Sequence, residues 1–241
     1  MRMRKKPNLA SRIERCNQLL IQSPFEHRGR WLELMPTAQE LRLELGCGKG
    51  RFTAETAEQH PEVLYIALER VPDAMIIAME RCQAKGLTNV FFIDGDAALL
   101  RDYFAPGEVD LLYINFCDPW PANRHARRRL THENFLILYR GILKDAGQIH
   151  FKTDNRDLFE FSLFQFPKAG YALLEVTRNL HHQGIQGVMT DYEEKFHNMG
   201  IPIHRCVGLK QAMDPEPECP PIAGADHASP HSPDTPLSPN P

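Results

Sequence analysis

Between residues 40 and 210 short apolar runs alternate with longer stretches in which apolar positions recur every three or four residues. Short runs predict strands and the longer period predicts amphipathic helices. Leu41-Arg42-Leu43-Glu44-Leu45 reads as a strand, Gly46 to Gly50 as a tight loop, and Arg51 to Gln59 as a helix. A second strand follows at Val63 to Leu68. Pro72 suits the first turn of a helix reaching about Lys85, with Gly86 closing it. Val90 to Ile93 and Val109 to Phe116 are apolar enough to be strands covered on both faces. A helix over Thr131 to Leu143 leads through a turn at Gly147 to the strand Gln148 to Lys152. Tyr171 to Val176 and Ile203 to Leu209 complete a set of seven strands. Strands separated by helices of this length pair in parallel through right-handed crossovers, which predicts an α/β fold with a doubly wound, mostly parallel sheet. No internal repeat interrupts the pattern.

Composition narrows the class. The 241 residues are 42% apolar and 24% charged, enough to bury the core of one large domain. No run of eighteen apolar residues occurs, which excludes a helical membrane span. Arg2, Arg4, Lys5 and Lys6 have no apolar stretch behind them, so no secretory signal is expected. The six cysteines (Cys16, Cys47, Cys82, Cys117, Cys206, Cys219) show neither CxxC spacing nor paired histidines. That argues against a metal site and a disulfide framework, and fits a reducing cytoplasm.

From about Ala212 the chain holds nine of its nineteen prolines and few large apolar residues. Such a segment cannot bury enough surface to offset its ordering entropy. The division expected is a basic N-terminal arm at 1–27, a folded domain at 28–210 and a disordered, acidic, Pro-rich tail at 211–241. The net charge of −3 changes meaning with that division. Residues 211–241 carry five acidic and no basic groups; subtracting those five from 31 leaves 26 acidic against 28 basic groups. The folded part is mildly basic, and its basic residues cluster.

In an open parallel sheet, ligands bind beyond the carboxyl ends of the strands. Glu44-Leu45-Gly46-Cys47-Gly48-Lys49-Gly50 lies there, between the first strand and first helix. Glycines allow close backbone approach to a ligand, although they also serve a simple tight turn. The spacing is neither the dinucleotide fingerprint nor a P-loop. An acidic residue beside such glycines is more typical of S-adenosylmethionine sites. Glu69 ends the second strand, where a carboxylate can accept from both ribose hydroxyls, and Asp96 follows the third, able to meet an adenine edge.

After the fourth strand comes Asn115-Phe116-Cys117-Asp118-Pro119-Trp120-Pro121, whose prolines stiffen the loop. Asp118 has no obvious structural partner. Trp120 either stacks on a base or caps the core. Arg124, His125, Arg127, Arg128 and Arg129 place four arginines within six residues, suited to phosphates or to a solvated helix face. Lys152-Thr153-Asp154-Asn155 and Thr190-Asp191-Tyr192-Glu193-Glu194-Lys195-Phe196 are rich in groups that read base edges. His181 and His182 receive no chemistry.

In this order ELGCGKG, the Glu69 strand end, NFCDPWP, RHARRRL, HFKTDN and MTDYEEKF resemble the bacterial tRNA (guanine-N7-)-methyltransferase family over roughly residues 28 to 209. The resemblance implies a Rossmann-like class I methyltransferase, with S-adenosylmethionine as donor and a guanosine in the tRNA variable loop as target. It makes Glu44, Gly46, Gly48, Glu69, Asp96 and Asp118 cofactor-binding, with Asp118 also catalytic. Asp154, Thr190, Asp191, Tyr192 and Glu193 become substrate-binding, and Arg124, His125, Arg127, Arg128 and Arg129 RNA-contacting. No metal and no membrane is implied; monomer and homodimer stay open. The two lysines usual after DPWP are Ala122 and Asn123 here, and the N-terminal KPW reads Lys6-Pro7-Asn8. An adenine amino-methyltransferase is disfavoured, because Trp120-Pro121 replaces its proline–aromatic order. A non-catalytic RNA-binding module is disfavoured by the intact acidic strand ends.

Overall fold

The computed structural model describes residues 8–212. Its strands are β1 (Glu40–Leu45), β2 (Val63–Glu69), β3 (Val90–Asp94), β4 (Val109–Asn115), β5 (Leu143–Thr153), β6 (Tyr171–Thr177) and β7 (His204–Lys210). They form one sheet in the order β3-β2-β1-β4-β5-β7-β6. All neighbours pair in parallel except β7, which runs antiparallel to both β5 and β6. The strand order reverses between β1 and β4, so the crevice for a ligand opens there.

Side-chain alternation divides the core. Leu41, Leu43 and Leu45 of β1 and Leu64, Ile66 and Leu68 of β2 face the layer of α4 (Leu100–Tyr103), α5 (Glu133–Ile142) and α6 (Arg156–Lys168). Val63, Tyr65 and Ala67 face the opposite layer, built from α1 (Leu9–Arg15), α2 (Arg51–Gln59) and α3 (Pro72–Ala84). Every residue of β2 is buried, as a strand covered on both sides requires.

Three features depart from the pattern read in the sequence. Residues 8–27 pack with the sheet instead of standing apart as an arm: Leu20 bridges to Phe92 beside β3, Arg12 pairs with Glu80 of α3 at 2.5 Å, and Leu19 is buried. α6 is capped by Asn155, whose side chain accepts from Leu158 N at 2.8 Å. Its periodicity is blurred in the sequence because Phe164 points out at 71% exposure. The turn at Gly147 is a bulge within a longer β5: Val109 pairs with Leu143, but Leu111 pairs with Gln148. Arg2, Arg4, Lys5, Lys6 and the tail from 213 onward lie outside the described residues.

Candidate active site

The loop from β1 to α2 is shaped by glycine. Gly46, Gly48 and Gly50 take φ of 74°, 58° and 72°, values that favour glycine. At Gly50 space decides as well, because a Cβ would lie 2.3 Å from Ala78 Cβ of α3. At Gly46 and Gly48 the same position meets nothing within 4 Å, leaving an open cradle. Gly48 N donates to Glu69 Oε2 at 2.9 Å, and Glu69 Oε1 accepts from the amides of Arg70 (2.9 Å) and Val71 (3.0 Å). Burial pushes the Glu69 carboxyl up, those three amides hold it down, and Asp118 nearby pushes it up again.

Glu44 lies at the floor of this loop, 3% exposed. Its Oε2 accepts from Thr53 Oγ1 at 2.5 Å and its Oε1 from Asn115 Nδ2 at 3.2 Å. Desolvation pushes its carboxyl up to about 6, against the pull of those two donors. Because the carboxylate takes the Asn115 amide nitrogen, Asn115 Oδ1 is directed away, buried and without a partner. A buried acceptor without a partner is costly, and a ligand donor reaching it would remove that cost.

Two cavities flank the Gly48–Glu69 hydrogen bond, Gly48 lining one and Glu69 the other. One, of about 270 Å³, is lined by Glu44, the glycine loop, Phe52, Asn115, Phe116, Thr190, Asp191, Tyr192 and Lys195. The other, of about 720 Å³, is lined by Glu69, Arg70, Val71, Asp96, Cys117, Asp118, Trp120, Arg127, Arg128, Leu130 and Phe135. Asp96 accepts from Ala98 N at 2.9 Å and sits 3.7 Å from Arg70.

Asp118 is exposed on the second cavity, which Glu69 also lines. Its loop is held in an unusual form: Phe116 and Trp120 take φ of 55° and 43°, left-handed values rare for bulky side chains. The clamp is Arg129, whose guanidinium donates to Pro119 O (3.0 Å) and Trp120 O (3.0 Å) and lies 4.3 Å over the Phe161 ring. Arg128 covers Trp120 at 5.0 Å and His125 meets it edge-on. Burial beside Asp118 pushes the Cys117 thiol up to about 12, so it stays protonated.

The expected site residues therefore divide. Glu44, Gly46, Gly48, Thr190, Asp191 and Tyr192 surround the first cavity, and Glu69, Asp96, Asp118, Arg127 and Arg128 the second. Arg124 is exposed nearby. Asp154 is half-buried just past β5 and lines neither cavity. Two assignments are corrected. Arg129 is 8% exposed, with Nε and Nη2 donating to the loop, so it supports the site from within instead of contacting RNA. Glu193 is fully buried at the start of α7 (Asp191–Asn198), where it forms a capping box with Thr190, and so cannot meet a substrate. T-x-x-E is a capping signature as much as a binding motif. Sequence reading gave Asn115, Lys152 and Thr53 no individual role; those of Asn115 and Lys152 depend on partners 71 and 41 residues away.

Residues 38–206 match a family model described as "Putative methyltransferase". The tRNA (guanine-N(7)-)-methyltransferase of Halalkalibacterium halodurans is 44% identical over 207 residues, 86% of this chain and 94% of that protein. Its namesake from Streptococcus suis is 43% identical over 206 residues, covering 85% and 97%. Among solved structures, the 16S rRNA methyltransferase KamB superposes with a TM-score of 0.59 at 16% identity, over 76% of this chain and 94% of that one. An antibiotic-related methyltransferase gives 0.56 at 16% identity, with the same coverage. These two show that the sheet order is that of a methyltransferase fold.

Proposed function

The chain belongs to the tRNA (guanine-N7-)-methyltransferase family, and on that footing we propose which of its residues hold the methyl donor and the guanosine. The enzyme transfers the methyl group of S-adenosylmethionine to N7 of a guanosine in tRNA, and the target we assign is in the variable loop. The donor supplies a methyl group on a sulfonium, an electrophile needing no metal. The residues fit that group on three counts: an open cradle at Gly46 and Gly48, a carboxylate at Glu69 at ribose position, and the orphaned Asn115 acceptor beside the Glu44 carboxylate, suited to an ammonium. Asp96 closes the adenine side.

Guanine N7 carries an in-plane lone pair on its Hoogsteen edge and loses no proton on methylation. A general base at N7 is therefore unnecessary. The protein's tasks are alignment and stabilisation of positive charge passing onto the purine. Asp118 supplies a fixed negative charge at the end of a clamped loop. Its carboxylate accepts from guanine N1–H and the 2-amino group. The observation that carries this reading is the shared cavity of Glu69 and Asp118, which brings the donor's ribose site and the catalytic carboxylate to one space. The test is methyl transfer from labelled donor to unmodified tRNA, followed by cleavage selective for 7-methylguanine. Label at the cleaved position supports the reading; label in an adenine contradicts it. We place the enzyme in the cytoplasm, with its tRNA substrate.

Two further results are expected. Binding of S-adenosylhomocysteine, measured by calorimetry, should weaken as pH falls through about 6, where Glu44 takes up its proton. Because burial raises that carboxyl, the ionised form that pairs with an ammonium predominates only above this value; well below it affinity falls about tenfold per pH unit. Glu44→Gln should flatten the profile, and a wild-type profile flat from pH 5 to 8 would remove Glu44 from the ammonium site. For RNA, replacing Arg124, Arg127 and Arg128 together by alanine should reduce the slope of log affinity against log salt by about 2–3. Arg129→Ala should leave the slope alone and lower the melting temperature. An unchanged slope in the triple variant would take the basic run out of the RNA interface.

A further inference from the structure

Thr190, Asp191 and Tyr192 form one rim of the glycine crevice. Two pairs at the surface tie their helix down, Arg81 with Asp191 at 3.2 Å and Arg51 with Glu194 at 2.6 Å. Partly exposed pairs of this kind contribute little. Behind the rim lies a buried arrangement of another order. Glu193 has no solvent exposure; its Oε2 accepts from Lys152 Nζ at 2.8 Å and from Thr190 N at 3.2 Å, and its Oε1 from His181 Nε2 at 3.0 Å.

The surrounding bonds fix the protonation pattern. Gln186 N donates to His181 Nδ1 at 3.2 Å, so the imidazole hydrogen sits on Nε2 and points at Glu193. Burial lowers the His181 and Lys152 pKa values and Glu193 draws both back up. Lys152 Nζ also donates to Val188 O at 3.1 Å and lies 5.3 Å over the Phe52 ring. One carboxylate thereby joins β5, the connection from 178 to 189 and the first turn of α7.

We propose that Glu193 is a positioning residue: through its ion pair with Lys152 and its hydrogen bond from His181, it fixes Thr190, Asp191 and Tyr192 in the pose that receives the guanosine. The proposal rests on the reading of that rim as the substrate side. Its logic is that a buried pair tolerates loss of both charges far better than loss of one, because a single removal leaves an uncompensated ion. A carboxylate that touched the guanosine itself would show no such dependence on Lys152.

The test uses the full chain and an unmodified tRNA transcript, at a temperature where each variant is folded by circular dichroism. Glu193→Gln should raise KM for tRNA about tenfold or more, keep the Kd for S-adenosylhomocysteine within about twofold, and speed amide exchange at residues 190–194. Adding Lys152→Met, which leaves the side-chain amide free to accept from Thr190 N, should return KM and exchange to within about threefold of wild type. If Glu193→Gln alone fails to fold, Lys152→Met alone takes its place as the single variant, with the same expectation. A double variant whose KM stays as high as the single one overturns the proposal in favour of direct guanosine contact. A single variant with wild-type KM and exchange overturns it in favour of mere core filling. A wild-type chain that left guanosine N7 unmethylated would remove the substrate reading, while exchange at 190–194 would still decide the anchor.

Discussion

Asp118→Ala should lower the rate of methyl transfer by about 10²–10³-fold at saturating donor and tRNA, the scale set by removing one preorganised electrostatic group from an active site. Asp118 stands in the cavity it shares with Glu69, on a loop with two left-handed non-glycine residues, and the Arg129 clamp on Pro119 O and Trp120 O maintains that form. Strain of this kind, about 1–3 kcal/mol per residue, persists where the surroundings over-determine it. Asp118→Asn keeps the shape and removes the charge; its amide also turns a donor toward guanine N1–H. It should be nearly as slow as the alanine variant. Affinity for S-adenosylhomocysteine should fall less than about tenfold, because Glu69 keeps its three amide donors and loses a repelling neighbour. Single-turnover kinetics separate the two effects. A rate within about threefold of wild type would remove Asp118 from the reaction.

The second large effect concerns stability. Gly50→Ala puts a Cβ 2.3 Å from Ala78 Cβ and 2.7 Å from Ala78 Cα, and the latter is backbone that cannot rotate away. Forcing a side chain into a left-handed residue costs about 1–2 kcal/mol, and overpacking a close contact about 1–3 more. For a chain of this size that sum lowers the melting temperature by about 5–15 °C. Gly48→Ala supplies the contrast. Its Cβ meets nothing within 4 Å, so only the backbone penalty remains, but the methyl group occupies the cradle. Gly48→Ala should therefore impair donor binding with a small loss of stability, and Gly50→Ala the reverse. Equal melting temperatures for the two would show that the third glycine has no packing role.

This contrast also shows what a sequence can convey. The spacing E-x-G-x-G-x-G pointed to a tight glycine loop, yet nothing in it separates the glycines with open space at Cβ from the one that packs on α3. The strands were legible because Val63 to Leu68 of β2 and Leu111 to Ile114 of β4 are unbroken apolar runs. α6 was not, since its outward Phe164 breaks the amphipathic period. Among the arginines, a run of like residues carries no sign of which one turns inward. Arg129 does so because a loop with strained backbone presents two carbonyls to it. Glu193 was misassigned because its partners, Lys152 and His181, stand 41 and 12 residues away. Contacts of that separation exist only once the sheet has formed.

The most direct measurement of the central claim is a crystal structure of the complex with S-adenosylhomocysteine and 7-methylguanosine monophosphate. The ribose hydroxyls are expected at Glu69, the amino-acid end beside Glu44 and Asn115, and the purine in the space between the glycine loop and the Asp118 carboxylate, its N7 methyl toward the sulfur. A purine seated elsewhere, with Asp118 facing only solvent, would contradict it.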